Sequence, residues 1–298
     1  MSSLQLLRKC SVALRTPQNR MEGLLPHQAL GEAKPARWEI YFAGVDWESA
    51  DRRAGLSRDL LSALLHGPAG WQLLREGAYQ WHSRTVVQMD WQALRAAAAA
   101  TDLAEAMEHA PAEALASLAL AVHEVLFGQL AGRRAVELPH IQDEGKVVVR
   151  LHNRPEALKR ASEVRADLIG SLITVRGTVV RCTPVRPLVT EMEFVCGKCG
   201  EAFLCPFPEG KYTPPVSCAT DGCRGRQFHP NRGRTACVDW QRLTVQGLPR
   251  DERIGQGRVP APIDVELLED LVGCAAPGDV VTVVGLVKVI NGEALPGG

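Results

Sequence analysis

Five of the chain's nine cysteines fall within residues 194–228, and no other feature narrows the possible folds as far. In "FVCGKCGEAFLCPFPEGKYTPPVSCATDGCRGRQF" the pair Cys196-x2-Cys199 is followed, after 18 residues, by the wider pair Cys218-x4-Cys223. A Cys-x2-Cys knuckle lets two sulfurs approach one ion from a tight turn, and Gly197 and Gly200 supply backbone freedom; Gly222 lies inside the second pair. Four thiolates make a closed tetrahedral shell, which suits a structural Zn²⁺, whereas catalytic zinc keeps a position open for water. Cys205, in the Pro-broken run "FLCPFP" between Phe203 and Phe207, is the spare thiol. It is expected to pack between those two rings; replacing a ligand is the lesser alternative for it, and lesser still for His229. Iron in a rubredoxin-like site is the chemical rival, although such sites favour two matched Cys-x2-Cys knuckles. The segment is rich in Gly, Pro and charge, with almost no apolar core. Metal binding must then supply its folding free energy, on the order of 10 kcal/mol, and it should unfold without the ion.

The 298 residues allow two modest domains or three small ones, and a hydrophobic share of 46% is that of a globular chain. No run approaches the ~18 apolar residues of a membrane span, so no membrane partner is expected. Nine cysteines without a secretory leader point to a reducing compartment. The basic start, "MSSLQLLRKCSVALRTPQNRM", loosely resembles a mitochondrial presequence, but no long amphipathic stripe develops. Residues 1–37 read as a disordered tail.

Residues 38–145 read as a helical subdomain. "SRDLLSALLHG" is a helix stopped by Gly67-Pro68, and "RTVVQMDWQAL" a short strand entering another helix. "TDLAEAMEHAPAEALASLALAVHEVLFGQL" opens with Thr101 as N-cap and restarts at Pro111. Leu115, Leu118, Val122 and Leu126 form one buried stripe, with His123 at its boundary. After residue 145 the texture turns to strands. In "DLIGSLITVRGTVVRC", Ile173, Val175 and Val179 face one way and Thr174, Arg176 and Thr178 the other, with Gly177 at a bulge or bend. "LVTEMEFVC" runs into the first knuckle and "TACVDWQRLTVQ" leaves the second. The strand "IDVELLE" and a last strand in "VVTVVGLVKVI", buried on both faces, complete the set. The expectation is an α+β chain: a helical subdomain, then a five-stranded OB-type barrel over 146–195 and 229–298, with a four-cysteine zinc ribbon inserted at 196–228.

A net charge of zero hides a pattern. Residues 1–145 carry 14 basic and 17 acidic side chains, residues 146–258 carry 19 and 11, and residues 259–298 carry 1 and 6. The basic middle is where a polyanion would meet the chain. Arg176, Arg181 and Arg242 lie on barrel strands, and Arg250, Arg253 and Arg258 punctuate the loop "GLPRDERIGQGRVPAP". These six are the candidate nucleic-acid contacts. With aromatics at 5% and Trp240 nearly alone on a barrel strand, base stacking is scarce. Phosphate contacts would dominate, giving weak sequence dependence and steep salt dependence. "CRGRQFHPNRGR" adds four arginines that could meet DNA, solvent or another subunit. The sequence holds no Gly-x4-Gly-Lys-Ser/Thr phosphate loop, no Gly-x-Ser-x-Gly elbow and no His-Glu-x-x-His. The acid pairs Glu191/Glu193, Asp251/Glu252 and Glu269/Asp270 lack an evident partner. No catalysis by this chain alone is expected.

The order of these parts resembles the N-terminal half of a minichromosome-maintenance (MCM) helicase subunit over about residues 38–290. The likeness rests on "LIGSLITVRGTVVR", "EFVCGKCG", "DWQRLTVQ", "GQGRVPAPIDVELLEDLV" and "PGDVVTVVGLV". Within the family, "PLVTEMEFVCGKCG", "FPEGKYTPPVSC" and "CRGRQF" most resemble the eighth paralogue, which is paired with the ninth in homologous recombination and crosslink repair. The resemblance implies a nuclear, ring-forming subunit, most plausibly of a homo- or hetero-hexamer with that sister subunit. Barrels would line a channel for single- or double-stranded DNA, and ribbons would make contacts at one end. It also implies that ATP binds only in an ATPase module downstream. Arg250, Arg253 and Arg258 carry over as hairpin residues, while Ala261 stands where many relatives have a basic residue after the proline. The competing reading is a zinc-stabilised protein–protein module that does not touch nucleic acid.

Overall fold

A computed structural model of the chain describes residues 34–35, 37–48, 50–128, 138, 141, 145–207, 210–248 and 261–289. The expected tail, 1–37, lies almost wholly outside them. Six helices and three strands come first: α1 (Trp38–Tyr41), α2 (Arg52–His66), α3 (Pro68–Gly77), β1 (Ala78–Trp81), β2 (Arg84–Asp90), α4 (Trp91–Ala97), α5 (Leu103–His109), α6 (Pro111–Phe127) and β3 (Val148–His152). The side chain of Asp51 caps α2 by accepting from the Arg53 backbone N–H at 2.8 Å. Gly67 ends α2 as read, but Pro68 at once opens α3, where its missing N–H costs nothing. The N-cap of α5 is Asp102, not Thr101, whose Oγ1 accepts from Leu103 N at 3.4 Å.

Helix α6 is the axis of this unit. Leu118, Val122 and Leu126 of the stripe seen in the sequence pack into the main core with Leu60, Leu64, Leu74 and Met89; Leu115 is only partly buried there, and Val125 joins them. A second face, Ala119 and Leu120, packs on Trp38, Tyr41 and Phe42. His123 therefore sits fully buried instead of at a boundary, its Nδ1 2.8 Å from the Tyr41 hydroxyl, which also accepts from Val147 N at 2.8 Å. Two packed faces defeat a one-stripe reading, because the polar residues are too few to mark an exposed side.

The helices do not stand alone. β1 and β2 form a two-residue hairpin in which His82 takes a left-handed φ of 50°, and β3 pairs parallel to β2 from Val86↔Val148 to Asp90↔His152. The strand at 148–152 thus joins the helical unit's sheet instead of the barrel to which its sequence position assigned it. A parallel partner contributed from 62 residues away, as Val148 is to Val86, leaves no local signal.

The remaining strands are β4 (Leu158–Lys159), β5 (Leu172–Cys182), β6 (Arg186–Cys196), β7 (Ala202–Pro206), β8 (Phe228–Gly247), β9 (Pro262–Leu268) and β10 (Val280–Leu286). They form a mixed sheet ordered β10-β5-β8-β6-β7, with β4 on β5 and β9 on β8, curled into a half-barrel. Val179, Leu243, Val245 and Leu267 fill its centre. β8 is 20 residues long and β6 pairs with it from Arg186↔Trp240 to Cys196↔Phe228. The ribbon inserted between β6 and β8 is thus continuous with the outer ends of those two strands.

Three local expectations change. β10 is an edge strand with β5 as its ladder partner, so it is part-exposed, with Val280 54% exposed, and not buried on both faces. Thr174 is 2% exposed, because its hydroxyl donates to the Arg154 carbonyl at 2.7 Å. Gly177 is not the bulge: a Cβ there would meet the Gln246 carbonyl oxygen at 2.4 Å, and the register instead shifts between Val179 and Arg181. Among the described residues no helix is long and apolar enough to cross a membrane.

Leu118→Ala is expected to cost about 2–5 kcal/mol by removing a fully buried side chain of α6 from the main core. Gly177→Ala should cost about 1–3 kcal/mol through overpacking of β5 on β8. Chemical denaturation of the two variants measures both, and a neutral Gly177→Ala would refute the close approach of these strands.

Candidate metal centre and nucleic-acid face

β6 delivers Cys196 at its last residue, and a tight turn returns the chain into β7. Gly200 N donates to the Cys196 carbonyl at 2.9 Å, with Gly200 at φ 75°, so the turn that carries Cys199 needs glycine. A second turn, with Gly222 at φ 79°, carries Cys223 back beside Cys196, and Gly197 N reaches the Gln227 carbonyl at 2.9 Å. The sulfurs of Cys196, Cys199, Cys218 and Cys223 all lie within 4.8 Å of one another. Cys196 and Cys223 are 3.9 Å apart, and Cys199 and Cys218 3.6 Å. A tetrahedral ion with metal–sulfur bonds of about 2.3 Å sets its sulfurs about 3.8 Å apart, so the four are spaced to hold one ion. Cys205 faces Met192 across the β6–β7 pair and is outside the cluster.

The electrostatics agree with the geometry. The hydroxyl and backbone N–H of Thr220, 3.4 and 3.5 Å from Cys218 Sγ, hold that thiol down at about 6. The Gly225 N–H pulls Cys223 down too, but burial and the neighbouring sulfurs outweigh it and hold this thiol up at about 11. Four sulfurs this close cannot all ionise unaided, and a cation among them removes that repulsion. Gly225 lies against the cluster: a Cβ there would stand 2.5 Å from Cys196 Sγ. Sequence spacing did not single it out, since its role is proximity and not conformation. The ribbon also has an apolar element that its composition hid. Phe194, 1% exposed, meets Phe207 and Tyr212 at ring distances of 6.2 Å, and Phe207 meets Tyr212 at 5.3 Å.

The arginines divide. Strict alternation would put Arg176 and Arg181 on opposite faces of β5, but the extra residue Val180 turns both outward. Both are exposed, and neither has an ion-pair partner among the described residues. Arg242 shares that face, yet it is already committed: it lies 3.6 Å from Glu266, its guanidinium is 5.3 Å from the Trp240 ring, and its side chain is 18% exposed. Arg250, Arg253 and Arg258 lie outside the described residues. Arg176 also lines a cleft of about 310 Å³ with Leu158, Lys159, Arg160, Gly247 and Leu248. Glu163, also in the lining, is engaged chiefly by Arg160 and more weakly by Lys159, which together hold that carboxyl down at about 2, so Lys159 and Arg176 both put positive charge at the cleft. Lys159 escaped the sequence reading because β4 is two residues long and is placed beside Val175 by tertiary pairing. Of the 224–234 arginines, Arg234 serves the ribbon itself, donating to the buried Glu193 at 3.2 Å.

Comparison with known proteins gives a consistent result. Residues 160–291 match the family described as "MCM OB domain". The chain is 36% identical over 277 residues to "Probable DNA helicase MCM8" of Oryza sativa subsp. indica, an overlap of 93% of this chain and 34% of that protein. It is 42% identical over 185 residues to "Probable DNA helicase MCM8" of Arabidopsis thaliana, covering 62% and 22% of the two chains. With "DNA helicase MCM8" of Homo sapiens it shares 40% over 203 residues, covering 64% and 24%. The chain spans between about a fifth and a third of the length of these curated relatives.

The purified chain is expected to carry one zinc, measured by elemental analysis. Cys218→Ser should lose the metal and the ribbon's thermal transition while the helical circular dichroism persists. Zinc retained in full by that variant would remove Cys218 from the ligand set. Gly225→Ala should weaken metal affinity about tenfold or more in a chelator competition, by displacing Cys196.

Proposed function

The chain belongs to the MCM family, and on that premise we propose that it is a DNA-binding and ring-assembly N-terminal region of an MCM-type helicase subunit. Its setting would be homologous recombination and DNA repair in the nucleus. The single observation that supports DNA contact best is the outward pairing of Arg176 with Arg181 across the Val180 bulge, beside the cleft that adds Lys159. Arg176 and Arg181 are exposed and have no ion-pair partner among the described residues, and β8, which pairs with the strand that carries them, is the one that precedes the arginines at 250, 253 and 258 in the sequence. In this reading a structural Zn²⁺, held by Cys196, Cys199, Cys218 and Cys223, fixes the ends of β6 and β8. ATP chemistry belongs to a module outside this chain, and the partner is a sister subunit, the ninth paralogue, in a homo- or hetero-hexamer.

One observation favours the second reading, a module that binds only protein. Leu204 and Val216, 62% and 86% exposed, put apolar surface on the ribbon, where a subunit contact could cover it.

Fluorescence anisotropy with labelled oligonucleotides, from about 50 to 200 mM salt, separates the two. The first reading expects affinity to fall steeply with salt. Arg176→Ala with Lys159→Ala should flatten the logarithmic slope by about 1.4 for a single strand, while Arg242→Ala should change it little because Glu266 already engages that side chain. A salt-independent signal, or no binding by an oligomeric sample, rejects DNA contact. The second reading expects Arg250→Ala with Arg253→Ala to leave DNA affinity unchanged and alter subunit association.

A further inference from the structure

The acid pair Glu269/Asp270, for which the sequence showed no partner, is engaged by three side chains of the helical unit. It forms a short 3₁₀ turn, Glu269–Leu271, directly after β9. The Asp270 carboxylate is 1% exposed. Its Oδ2 accepts from the Tyr79 hydroxyl at 2.8 Å, and its Oδ1 from Arg150 Nη2 and Nε at 2.7 and 3.2 Å. Gln88 Nε2 donates to the Tyr79 oxygen at 3.3 Å. Glu269 Oε1 accepts from Arg84 Nη1 at 2.5 Å, and Arg150 also takes the Leu268 carbonyl at 3.4 Å. Apart from the Gln88–Tyr79 bond within the helical unit's own sheet, every donor comes from β1, β2 or β3 and every acceptor from Leu268 or the turn that follows it. Burial, then Asp270, pushes the Tyr79 hydroxyl up to about 12, so it remains a donor at any physiological pH.

Two features separate this cluster from an ordinary surface ion pair. Glu269 is held at φ 56°, a left-handed conformation that a non-glycine residue adopts only when its surroundings impose it. β9, moreover, is an edge strand: its ladder partner is β8, from Trp240↔Leu268 to Gln246↔Pro262. Besides that ladder and the packing of Ile263, Val265 and Leu267 in the half-barrel core, the cluster ties the end of β9 to the helical unit. β8 and β9 are also the two stems of the segment that begins after Leu248 and ends at Ala261. A slip of β9 by one residue would turn Val265 and Leu267 out of the core and Glu266 into it.

We propose that the Glu269–Leu271 turn is a latch by which the helical unit sets the register and position of β9, with Tyr79, Arg84 and Arg150 as its positioning residues. Since β9 rises about 3.4 Å per residue, a constraint at Leu268 reaches Pro262, roughly 20 Å away, through one rigid ladder. The helical unit thereby governs where the second stem stands without touching it beyond its last residues. This inference concerns the mechanics of the fold and stands or falls independently of whether DNA is the partner.

Hydrogen–deuterium exchange with mass spectrometry on the zinc-loaded chain tests it. Arg150→Ala is the direct variant; Tyr79→Phe with Arg84→Gln is the milder one, and it decides if the first does not fold. The latch expects amides at 240–246 and 262–271 to exchange about tenfold faster or more, while those of α6 and β7 keep their wild-type rates. Arg84→Lys, which keeps the cation, should restore most of the protection that Arg84→Glu loses. Faster exchange confined to 269–271 overturns the proposal, because the cluster would then be a local staple. An equal factor across all elements overturns it too, since that is general destabilisation.

Discussion

Four cysteine sulfurs within 4.8 Å of one another can all be ionised only when a cation sits among them, and this condition governs the outer half of the sheet. Cys196 is the last residue of β6, and Cys223 lies five residues before β8 begins. Holding those two sulfurs together brings the ends of two strands into register, from which ten pairs run toward the barrel. The aromatic trio Phe194, Phe207 and Tyr212 is too small to do this alone. An ion held there would close the tip, and the ladder would carry that constraint inward past the ring cluster.

Further in, the same sheet presents its charge by a backbone irregularity. Val180 is one residue more than the ladder can use, and that surplus brings Arg176 and Arg181 to one face. The acid side chains on this face are spent locally. Glu266 pairs with Arg242, and Asp264 accepts from the Thr244 hydroxyl at 2.9 Å. What this face offers therefore depends on which cations lack an acidic neighbour and not on the number of arginines: Arg176 and Arg181 are exposed, while Arg242 is paired.

The helical unit and the half-barrel are joined by polar groups that are expensive to separate. Arg154, 5% exposed, lies over the Trp91 ring at 5.1 Å and donates to the Leu172 carbonyl at 2.8 Å, bridging the two. Arg150 does the same at the far end, toward Asp270. Around both, Leu172, Val284 and Leu286 of the barrel pack against the core of the helices. A buried guanidinium stripped of its partners costs several kcal/mol, so these joints favour one relative placement over many.

Much of this was legible in the residues alone. Metal-ligand spacing, the stripe on α6, the Pro111 restart and the alternation of β5 are local signals, since each depends on neighbours within a few positions. Those neighbours were enough to indicate an OB-type barrel and a four-thiol cluster. What the sequence could not convey lies in pairings between distant segments. β3 left the barrel for β2, Lys159 came beside Arg176, and Glu269 and Asp270 found cations more than a hundred residues earlier. Even the exposure of β10 depended on its having one neighbour and not two. Periodicity tells which side of an element is apolar, because that follows from backbone geometry. It does not tell which element will cover that side, because that is decided by the free energy of the whole packed arrangement.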